Sequence, residues 1–197
     1  MSFKLGNTNI GELYVGSNKI AQAYLGSNLV YQSAAPGPSF DSVTIGTQTW
    51  MAKNLAIDDG GEGITIMNNV TANGVNFGTI YYYTWDAAVR VANSIQGWHL
   101  SSKAEWDTLK NYIGTNAATK LCSTTGWNNN VNGTDDYGFT ALPCGLWATA
   151  LINVGSQAMF WTSTESYRMY LIAQYNAIGS QNISKDMRHP VRLIKDT

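Results

Sequence analysis

Helical periodicity is confined to two short stretches of this 197-residue chain. The first covers residues 85–94, where Thr84 is a typical N-cap and apolar side chains recur on one face. The second begins at Ser102, which is predicted to form a capping box with Glu105, and it ends at Gly114. Since turns and short strands are predicted elsewhere, the sequence favours an α+β domain over alternating βαβ units.

Short strands separated by Gly and Asn turns are predicted around these helices. Residues 42–50 are predicted to form two strands about a turn at Gly46, and residues 160–163 and 190–195 are further strand candidates. Asn-rich turns at residues 128–130 and 132–133 mark loops. We therefore expect two helices with short irregular β-sheets in the main domain.

A ten-residue repeat occupies residues 5–31. Gly6, Gly16 and Gly26 stand at equivalent places, each followed by Asn or Ser and flanked by β-forming residues. Gly and Asn tolerate the positive φ of tight turns, so each unit is predicted to form short strands joined by a turn. Because such short units bury too little apolar surface alone, we expect them to pack on the main domain or on copies of themselves.

A small, Pro-containing segment separates this module from the rest of the chain. Residues 33–39 include Pro36 and Pro38, and a proline cannot donate a hydrogen bond to a β-ladder. We therefore predict a β-rich repeat module over residues 1–32, a linker over residues 33–39 and one main domain over residues 40–197.

The charge content excludes several classes of function. Charged residues make up 13% of the chain and the formal net charge is -1, so the clustered positive charge that nucleic acids attract is missing. No apolar run is long enough to span a bilayer, and the first residues do not resemble a signal peptide. We expect neither nucleic-acid binding nor membrane insertion.

The cysteines and histidines offer weak candidates for chemistry. Cys122 and Cys144 match no zinc-ligand spacing, which leaves buried free thiols or a single disulfide open. His99 and His189 have no nucleophile or second ligand at a recognisable spacing, so we interpret them as core or surface residues.

Two acidic pairs raise the question of a cation site. Asp58 and Asp59 form one pair, while Asp135 and Asp136 follow a loop whose Asn side chains offer further hard oxygens. The spacing lacks the EF-hand pattern and its terminal bidentate Glu. We expect no cofactor, with a structural calcium ion in this loop as the less favoured alternative.

Several motifs in sequence order resemble the Fibrobacter succinogenes major paralogous domain. Six tryptophans mark them, and we interpret these as core residues: Trp50, Trp85, Trp98, Trp106, Trp127 and Trp161. The motifs are VTIGTQTWMAKNL at 43–55, YTW at 83–85, GWHLSSKAEW at 97–106, GW at 126–127, NGTDDYGFTALP at 132–143, FWTSTE at 160–165 and VRLIKD at 191–196. The resemblance covers residues 40–197.

This resemblance implies a C-type-lectin-like fold of the branch related to the formylglycine-generating enzyme. Some relatives are variable proteins of diversity-generating retroelements, in which codons near the C-terminus are rewritten while the scaffold stays fixed. The resemblance therefore implies a ligand- or receptor-binding protein of a phage tail, a virion or a cell surface, often a homotrimer. Its expected partner is a protein or glycan on a target cell.

An enzyme is not expected from the same resemblance. The formylglycine-generating relatives use a pair of cysteines near the C-terminus, and no cysteine follows Cys144 here. Carbohydrate binding through the Glu-Pro-Asn or Gln-Pro-Asp motifs of Ca²⁺-dependent lectins is not supported either, because both motifs are missing. A structural domain of a particle or envelope is the main alternative function.

Two stretches depart from the family pattern and carry the candidate binding residues. They are rich in Tyr, Trp, Arg and amides, which dominate antibody-like binding surfaces and interface hot spots. The candidates are Leu146, Trp147, Thr149, Leu151, Ser166, Tyr167, Arg168, Tyr170, Ile172, Gln174, Tyr175 and Asn176, with Asp186, Met187 and Arg188 at the rim. Each aromatic residue has a competing interpretation as cross-strand or core packing.

Overall fold

The chain divides into two compact units in a computed structural model, Met1–Gly37 and Pro38–Thr197. The structure describes every residue of the second unit. In the first unit it describes the backbone of residues 3–5, 8–10, 14–15, 18–19, 22–25 and 28–32. Most of the predicted linker and the predicted turn glycines lie outside the described residues.

The described strands of the first unit pair into antiparallel hairpins. They are β1 (Phe3–Leu5) with β2 (Thr8–Ile10), β3 (Tyr14–Val15) with β4 (Asn18–Lys19), and β5 (Gln22–Leu25) with β6 (Asn28–Gln32). This arrangement follows the ten-residue repeat, and the prediction of short paired strands is confirmed for these residues.

The second unit is an α+β domain. Its first half contains β7 (Ser42–Ile45), β8 (Gln48–Met51), β9 (Ile64–Met67), β10 (Thr71–Ala72), β11 (Val75–Asn76), β12 (Ile80–Tyr83), α1 (Trp85–Asn93), β13 (Trp98–Leu100) and α2 (Lys103–Ile113). Its second half contains α3 (Ala117–Leu121), β14 (Leu146–Trp147), β15 (Leu151–Ile152), β16 (Ala158–Trp161), β17 (Tyr167–Ile172), β18 (Ala177–Asn182) and β19 (Leu193–Lys195). Single 3-10 turns lie at Asn128–Asn130 and Ala173–Tyr175.

Small antiparallel sheets hold these elements together. The largest has the strand order β13-β19-β8-β7, so the last strand of the chain lies between strands from much earlier in the sequence. A three-stranded sheet has the order β16-β17-β18, and two-stranded ladders join β9 to β12, β10 to β11, and β14 to β15. Within the described residues, no helix combines the length and the apolar character that a membrane crossing requires.

Both predicted helices begin at the expected caps. The Thr84 hydroxyl accepts a hydrogen bond from the Ala87 amide at the start of α1. Ser102 and Glu105 form the complete capping box of α2, and Gly114 follows its last turn with a positive φ of 72°. These local signals were sufficient because the groups that form a cap lie within one turn of each other.

Helix α3 was not predicted. It spans only 5 residues, and its N-cap Asn116 has a left-handed backbone with no side-chain cap to the helix amides. The polar group that accompanies its first turn comes from Asn176, whose Oδ1 accepts hydrogen bonds from the Thr119 amide and hydroxyl. Because Asn176 lies far along the chain from this helix, no sequence pattern near residue 117 predicts the helix.

An aromatic cluster forms the centre of the largest core. The rings of Trp106 and Phe160 stack at a centroid distance of 5.5 Å, and Trp50 and Phe139 pack against them edge-on or tilted. The indole N–H of Trp106 donates to the hydroxyl of the buried Ser101 at 2.9 Å. Such partners are needed because a buried indole N–H without an acceptor costs free energy.

Five of the six motif tryptophans are buried as predicted, and Trp85 is the exception. Trp85 is half-exposed: its indole N–H donates to the Thr162 carbonyl at 2.9 Å, and the Lys185 ammonium lies 4.8 Å from the ring centroid. Its place at the first position of α1 leaves one face of the ring at the surface, where a Lys cation covers part of it.

A fully buried arginine connects the β19 sheet to the central loops. Arg192 donates through Nε to Asn54 Oδ1 at 2.8 Å, and its Nη atoms donate to the carbonyls of Met51, Phe139 and Thr140. Its guanidinium also lies over the ring of Phe139, 4.6 Å from the centroid. Burial lowers the pKa of Arg192 to about 9, which still leaves the side chain charged at pH 7.

We expect Arg192→Met to destabilise the domain by about 3 kcal/mol or more. The apolar side chain would leave several buried carbonyls without a donor, and each such loss costs about 1–3 kcal/mol. Chemical denaturation monitored by tryptophan fluorescence measures the difference. The matched control is Arg90→Met, because Arg90 pairs with Asp59 in an exposed ion pair and its loss should cost roughly 0–1 kcal/mol. Equal losses for the two variants would contradict a special role for Arg192.

Candidate functional site

Strand β17 directs alternate side chains to opposite faces of its sheet. Met169 and Leu171 are buried and belong to the aromatic core. Arg168, Tyr170 and Ile172 occupy the other face, as expected for a strand in which successive side chains alternate. The candidate residues of this strand are thereby separated into a set that faces inward and a set that faces away from the main core.

A cleft of about 310 Å³ lies at the end of this second face. We call it the amide cleft, because the side chains of Asn129, Asn153, Gln157 and Gln174 line it together with the Tyr175 ring. Within the part of the chain that the structure describes, no charged residue lines it. Asn129 and Asn153 both have left-handed backbones, with φ of 58° and 61°, which turns their loops at the cleft.

Asn128 fixes the two loops that form the wall of the amide cleft. Its backbone amide donates to the Gly155 carbonyl at 2.8 Å, and its Nδ2 donates to the Ser156 hydroxyl at 2.9 Å. Its Oδ1 accepts a hydrogen bond from Asn73 at 3.0 Å. The lining amides Asn129, Asn153, Gln157 and Gln174 make no such side-chain bonds to residues 38–197. Among residues 38–197 nothing bonds these donors and acceptors, so they can serve a ligand.

A second cavity of about 410 Å³ adjoins the first. We call it the arginine cavity, because Arg168 lies in it beside Tyr170, Ser180 and Gln181. Gln157 and Ile172 line both cavities and so join them. Together the amide cleft and the arginine cavity form one continuous surface, called here the joined clefts.

A family model described as the Fibrobacter succinogenes major domain matches residues 43–195. The chain belongs to this family. The match spans nearly the whole second unit and confirms the resemblance that the sequence motifs indicated. Comparisons with curated proteins and with solved structures find no match.

In this Fibrobacter succinogenes major domain, five of the predicted recognition residues line the joined clefts. They are Arg168, Tyr170, Ile172, Gln174 and Tyr175. Tyr175 is exposed, with 72% of its surface open to solvent. Strand β17 and the 3-10 turn that follows it bring these five together, because the outward positions of the strand lead directly into the turn.

The predicted residues from the β14-β15 hairpin lie elsewhere in the domain. Leu146 is a correction, because only 5% of its surface is exposed and it is not available to a ligand. Trp147 and Leu151 are half-buried against the small core around Val70 and Tyr82. Thr149 is exposed at the tip of the hairpin. None of these four lines the joined clefts.

The remaining predicted residues have local structural roles in the domain. Ser166 has a positive φ of 63° in the turn before β17, and Tyr167 starts the strand on its inward-facing side. Asn176 is exposed, but its side-chain amide bonds to Asn116 and Thr119 beside α3. Asp186 accepts from Ser184 within a local turn.

The segment at the predicted rim packs on a different part of the domain. Met187 is half-buried against the core beneath α1. Arg188 pairs with Trp147 through a backbone bridge and lines a separate cavity with Glu62 and Asp86. This segment is thus not part of the surface that β17 presents.

Sequence reasoning missed the cleft residues Asn129, Asn153 and Gln157. The Asn-rich turn at residue 129 was predicted as a loop, and its neighbours Asn128 and Asn130, but not Asn129 itself, were considered as cation ligands. Gln157 has no local signal, because it reaches the joined clefts through the pairing of Ala158 with Leu171, which places it beside Ile172.

The cysteines of this domain are buried free thiols rather than a disulfide. Burial raises the pKa of Cys144 to about 12 and raises that of Cys122 as well. The Cys144 Sγ accepts a contact from the Asn54 amide at 3.6 Å. Both thiols therefore stay protonated at neutral pH, and the thiolate form that acts as a nucleophile is not populated.

In the loop that contains Asn132 and Asp135, side-chain oxygens accept hydrogen bonds from within the domain. Both carboxylate oxygens of Asp135 accept from Thr140, one from the amide and one from the hydroxyl, each at 2.6 Å. Asn132 Oδ1 accepts from the Trp127 amide at 3.1 Å. Among the described residues, no group of three or more acidic, His or Cys side chains is arranged to hold a metal ion. These internal hydrogen bonds hold the loop in its conformation.

The two histidines occupy opposite environments. His189 is fully buried with its ring edge-on to Trp161, and burial, followed by the nearby charge of Arg168, lowers its pKa well below the usual range. His99 is half-exposed and bridges two carboxylates, since its ring nitrogens lie 2.7 Å from Glu105 Oε1 and 2.7 Å from Asp196 Oδ1. No serine or cysteine accepts from or donates to either ring within the described part of the chain, so neither forms a nucleophile–base pair.

We expect the His99 bridge to make stability depend on pH. Burial alone would lower the pKa of His99, but its hydrogen bonds to Glu105 and Asp196 outweigh burial and raise it. The charged bridge therefore contributes fully below the unfolded value of about 6.5, and its contribution is lost as pH rises through the folded value.

The measurement compares urea unfolding of the wild type and His99→Gln at pH 6 and pH 9. The wild type should be more stable than the variant at pH 6, with a smaller difference at pH 9. Asp196→Asn removes one of the two carboxylates and should reduce this pH dependence. A difference that stays constant or grows at high pH would contradict the assignment of a protonated bridge.

Proposed function

We propose that the protein binds a ligand or receptor through the joined clefts, as a non-enzymatic recognition protein. The observation that carries this proposal is the continuous surface where outward residues of β17 meet unbonded amides from neighbouring loops. Arg, Tyr and amide side chains together provide the contact area and hydrogen-bonding capacity that binding surfaces use.

The architecture supports a recognition surface that tolerates substitution. Strand β17 has a partner on each side, so its backbone hydrogen bonds are made with β16 and β18 whatever side chains point outward. Met169 and Leu171 anchor the inward face in the core. The half-exposed positions Tyr170 and Ile172 can therefore change without removing the interactions that hold the strand in place.

We further propose that this surface is the variable site of a C-type-lectin-like scaffold. Membership of the Fibrobacter succinogenes major domain family supports this interpretation, and so does the clustering of five predicted residues at one surface. In this proposal the protein is a retroelement-diversified adhesin of a phage tail or cell surface, with a protein or glycan of a target cell as its partner.

Binding without catalysis agrees with the chemistry of the buried groups. The thiol of Cys144 has a pKa of about 12, and His189 is enclosed against Trp161. Neither residue lines the joined clefts. The charged group at this surface is Arg168, which binds anions readily but does not serve as a nucleophile or a general base at neutral pH.

We expect Gln174→Ala and Tyr175→Ala to abolish target binding with little effect on stability. Both side chains are exposed, so each free energy of unfolding should change by no more than about 0.5 kcal/mol. Binding of the labelled full chain to an array of defined bacterial surface glycans and surface proteins, and to intact bacterial cells, is the measurement.

Tyr112→Ala is the matched control for these variants. Tyr112 is 61% exposed on α2, where it lies over Gly46 and does not line the joined clefts. Its replacement should leave retention unchanged. Retention that survives both cleft substitutions, or falls equally with Tyr112→Ala, would argue against this site. A complete lack of retention by the wild type would favour a structural domain of a particle or envelope.

Sequencing the genomic neighbourhood tests the proposed diversification. We expect a reverse transcriptase gene and a near-copy of the 3′ coding segment that differs only where the copy has adenine. The differences should fall in codons for residues open to solvent, such as Tyr170 and Gln174, and should spare the inward Met169 and Leu171. Differences spread over all bases, or concentrated at inward codons, would contradict variable display.

A further inference from the structure

Arg168 is a mostly buried cation that has no anionic partner among the described residues. Only 7% of its surface is exposed, and no carboxylate within residues 38–197 forms an ion pair with it. Its Nη2 donates to Gln181 Oε1 at 2.7 Å, and its Nη1 points at the thioether sulfur of Met159 at 2.8 Å. The Nε donor has no acceptor in the described part of the chain. Its bonding capacity is therefore incompletely used.

This arrangement is unfavourable in the absence of a ligand. A thioether is a weak acceptor, and buried charges are normally paired or fully hydrogen-bonded. Burial lowers the pKa of Arg168, but a guanidinium remains protonated at neutral pH. By contrast, Arg192 is also buried and has four oxygen acceptors, so the domain does satisfy a buried guanidinium where its role is structural.

The surroundings of Arg168 strengthen its attraction for an anion. The other residues that line the arginine cavity are uncharged. Behind it lies His189, whose two ring nitrogens are buried and also lack partners among the described residues. No negative charge of the described chain therefore competes for the guanidinium, and the partly dry position weakens screening by water.

Tyr170 defines one wall of the arginine cavity. Its ring lies directly over Gly179 of the neighbouring strand, and a methyl group at position 179 would collide with its hydroxyl end. The absence of a side chain at Gly179 lets the Tyr170 ring lie directly against the sheet. Tyr170 lines the cavity, and its hydroxyl is a further hydrogen-bonding group there.

We propose that the arginine cavity binds the carboxylate or sulfate group of an acidic saccharide, whose uncharged hydroxyl-bearing part occupies the amide cleft. This inference rests on the proposed binding function and specifies its ligand class. A guanidinium matches a carboxylate or sulfate through a planar pair of donors, and here the anion would replace Gln181 as the partner of Nη2. The shared residues Gln157 and Ile172 place both parts of the ligand on one surface.

The amide cleft favours a saccharide over an acidic peptide. Side-chain amides carry both donors and acceptors, as hydroxyl groups do, and four of them converge here without bonds to residues 38–197. The Tyr175 ring offers a negatively polarised face to the C–H groups of a sugar ring. A peptide would call instead for deep apolar pockets that accept anchoring side chains, and the lining here is mainly polar.

The test places a competing carboxylate inside the cavity. Gln181→Glu puts an acid where Gln181 Oε1 already accepts from Arg168, so Arg168 gains an internal partner and the fold is retained. Asn182→Glu is the matched control, since it adds the same charge on the same strand but on the opposite face. Arg168→Gln is the complementary variant, with thermal unfolding used to confirm that each protein is folded.

The probes are immobilised saccharides in matched pairs. One arm pairs oligogalacturonate with its methyl ester, and sialyllactose with lactose. The other arm pairs sulfated chondroitin oligosaccharides with their desulfated forms. An oligoglutamate peptide tests the alternative of an acidic protein ligand. We expect the wild-type full chain to prefer the acidic member of at least one pair by about tenfold or more. The arm that shows this preference identifies the anionic group.

The outcomes separate this inference from the proposed function. Gln181→Glu should reduce the acidic preference to within about twofold, while Asn182→Glu should leave it unchanged. Equal loss in both variants, no acidic preference in either arm, or binding of oligoglutamate alone would overturn the inference. If neutral ligands bind and that binding depends on Tyr175 and Gln174, the proposed function stands although the anion subsite fails.

Discussion

The buried guanidinium of Arg192 is the interaction on which the frame of the domain depends. A charge in the interior is tolerated only when its donors are matched by acceptors, and here carbonyls of Met51, Phe139 and Thr140 provide them. These carbonyls come from distant parts of the chain. One side chain therefore links the end of β8 and the loop at residues 139–140 to the start of β19. Neither segment can move without leaving a buried polar group unpaired.

The two faces of the β16-β17-β18 sheet have different surroundings. One face packs in the aromatic core, and the other borders the arginine cavity. Met169 and Leu171 pack in the core, whereas Arg168 and Tyr170 point away from it. Because the backbone ladder is complete on both sides of β17, its geometry does not depend on the outward side chains. Alternate residues of the same strand therefore contribute to the core and to the proposed recognition surface.

The two buried arginines show how the same residue type serves different ends. Arg192 has oxygen acceptors for most of its donors, and its replacement bears on stability. Arg168 has an amide oxygen and a thioether, with Nε left over among the described residues. This incompletely satisfied guanidinium beside the joined clefts is the basis of the proposed anion subsite. Burial alone does not distinguish the two residues, and the set of acceptors does.

The sequence determined those features whose causes lie within a few residues of each other. Local sequence patterns were enough to predict the caps of α1 and α2, the β7-β8 turn, the short strands of the repeat and the family motifs. Tertiary structure decided the rest. It formed α3 beside Asn176, buried Leu146, and brought Gln157 next to Ile172. The physical reason is that strand register and loop contacts join residues far apart in the chain, so which donors remain unpaired is settled only when the whole domain has folded.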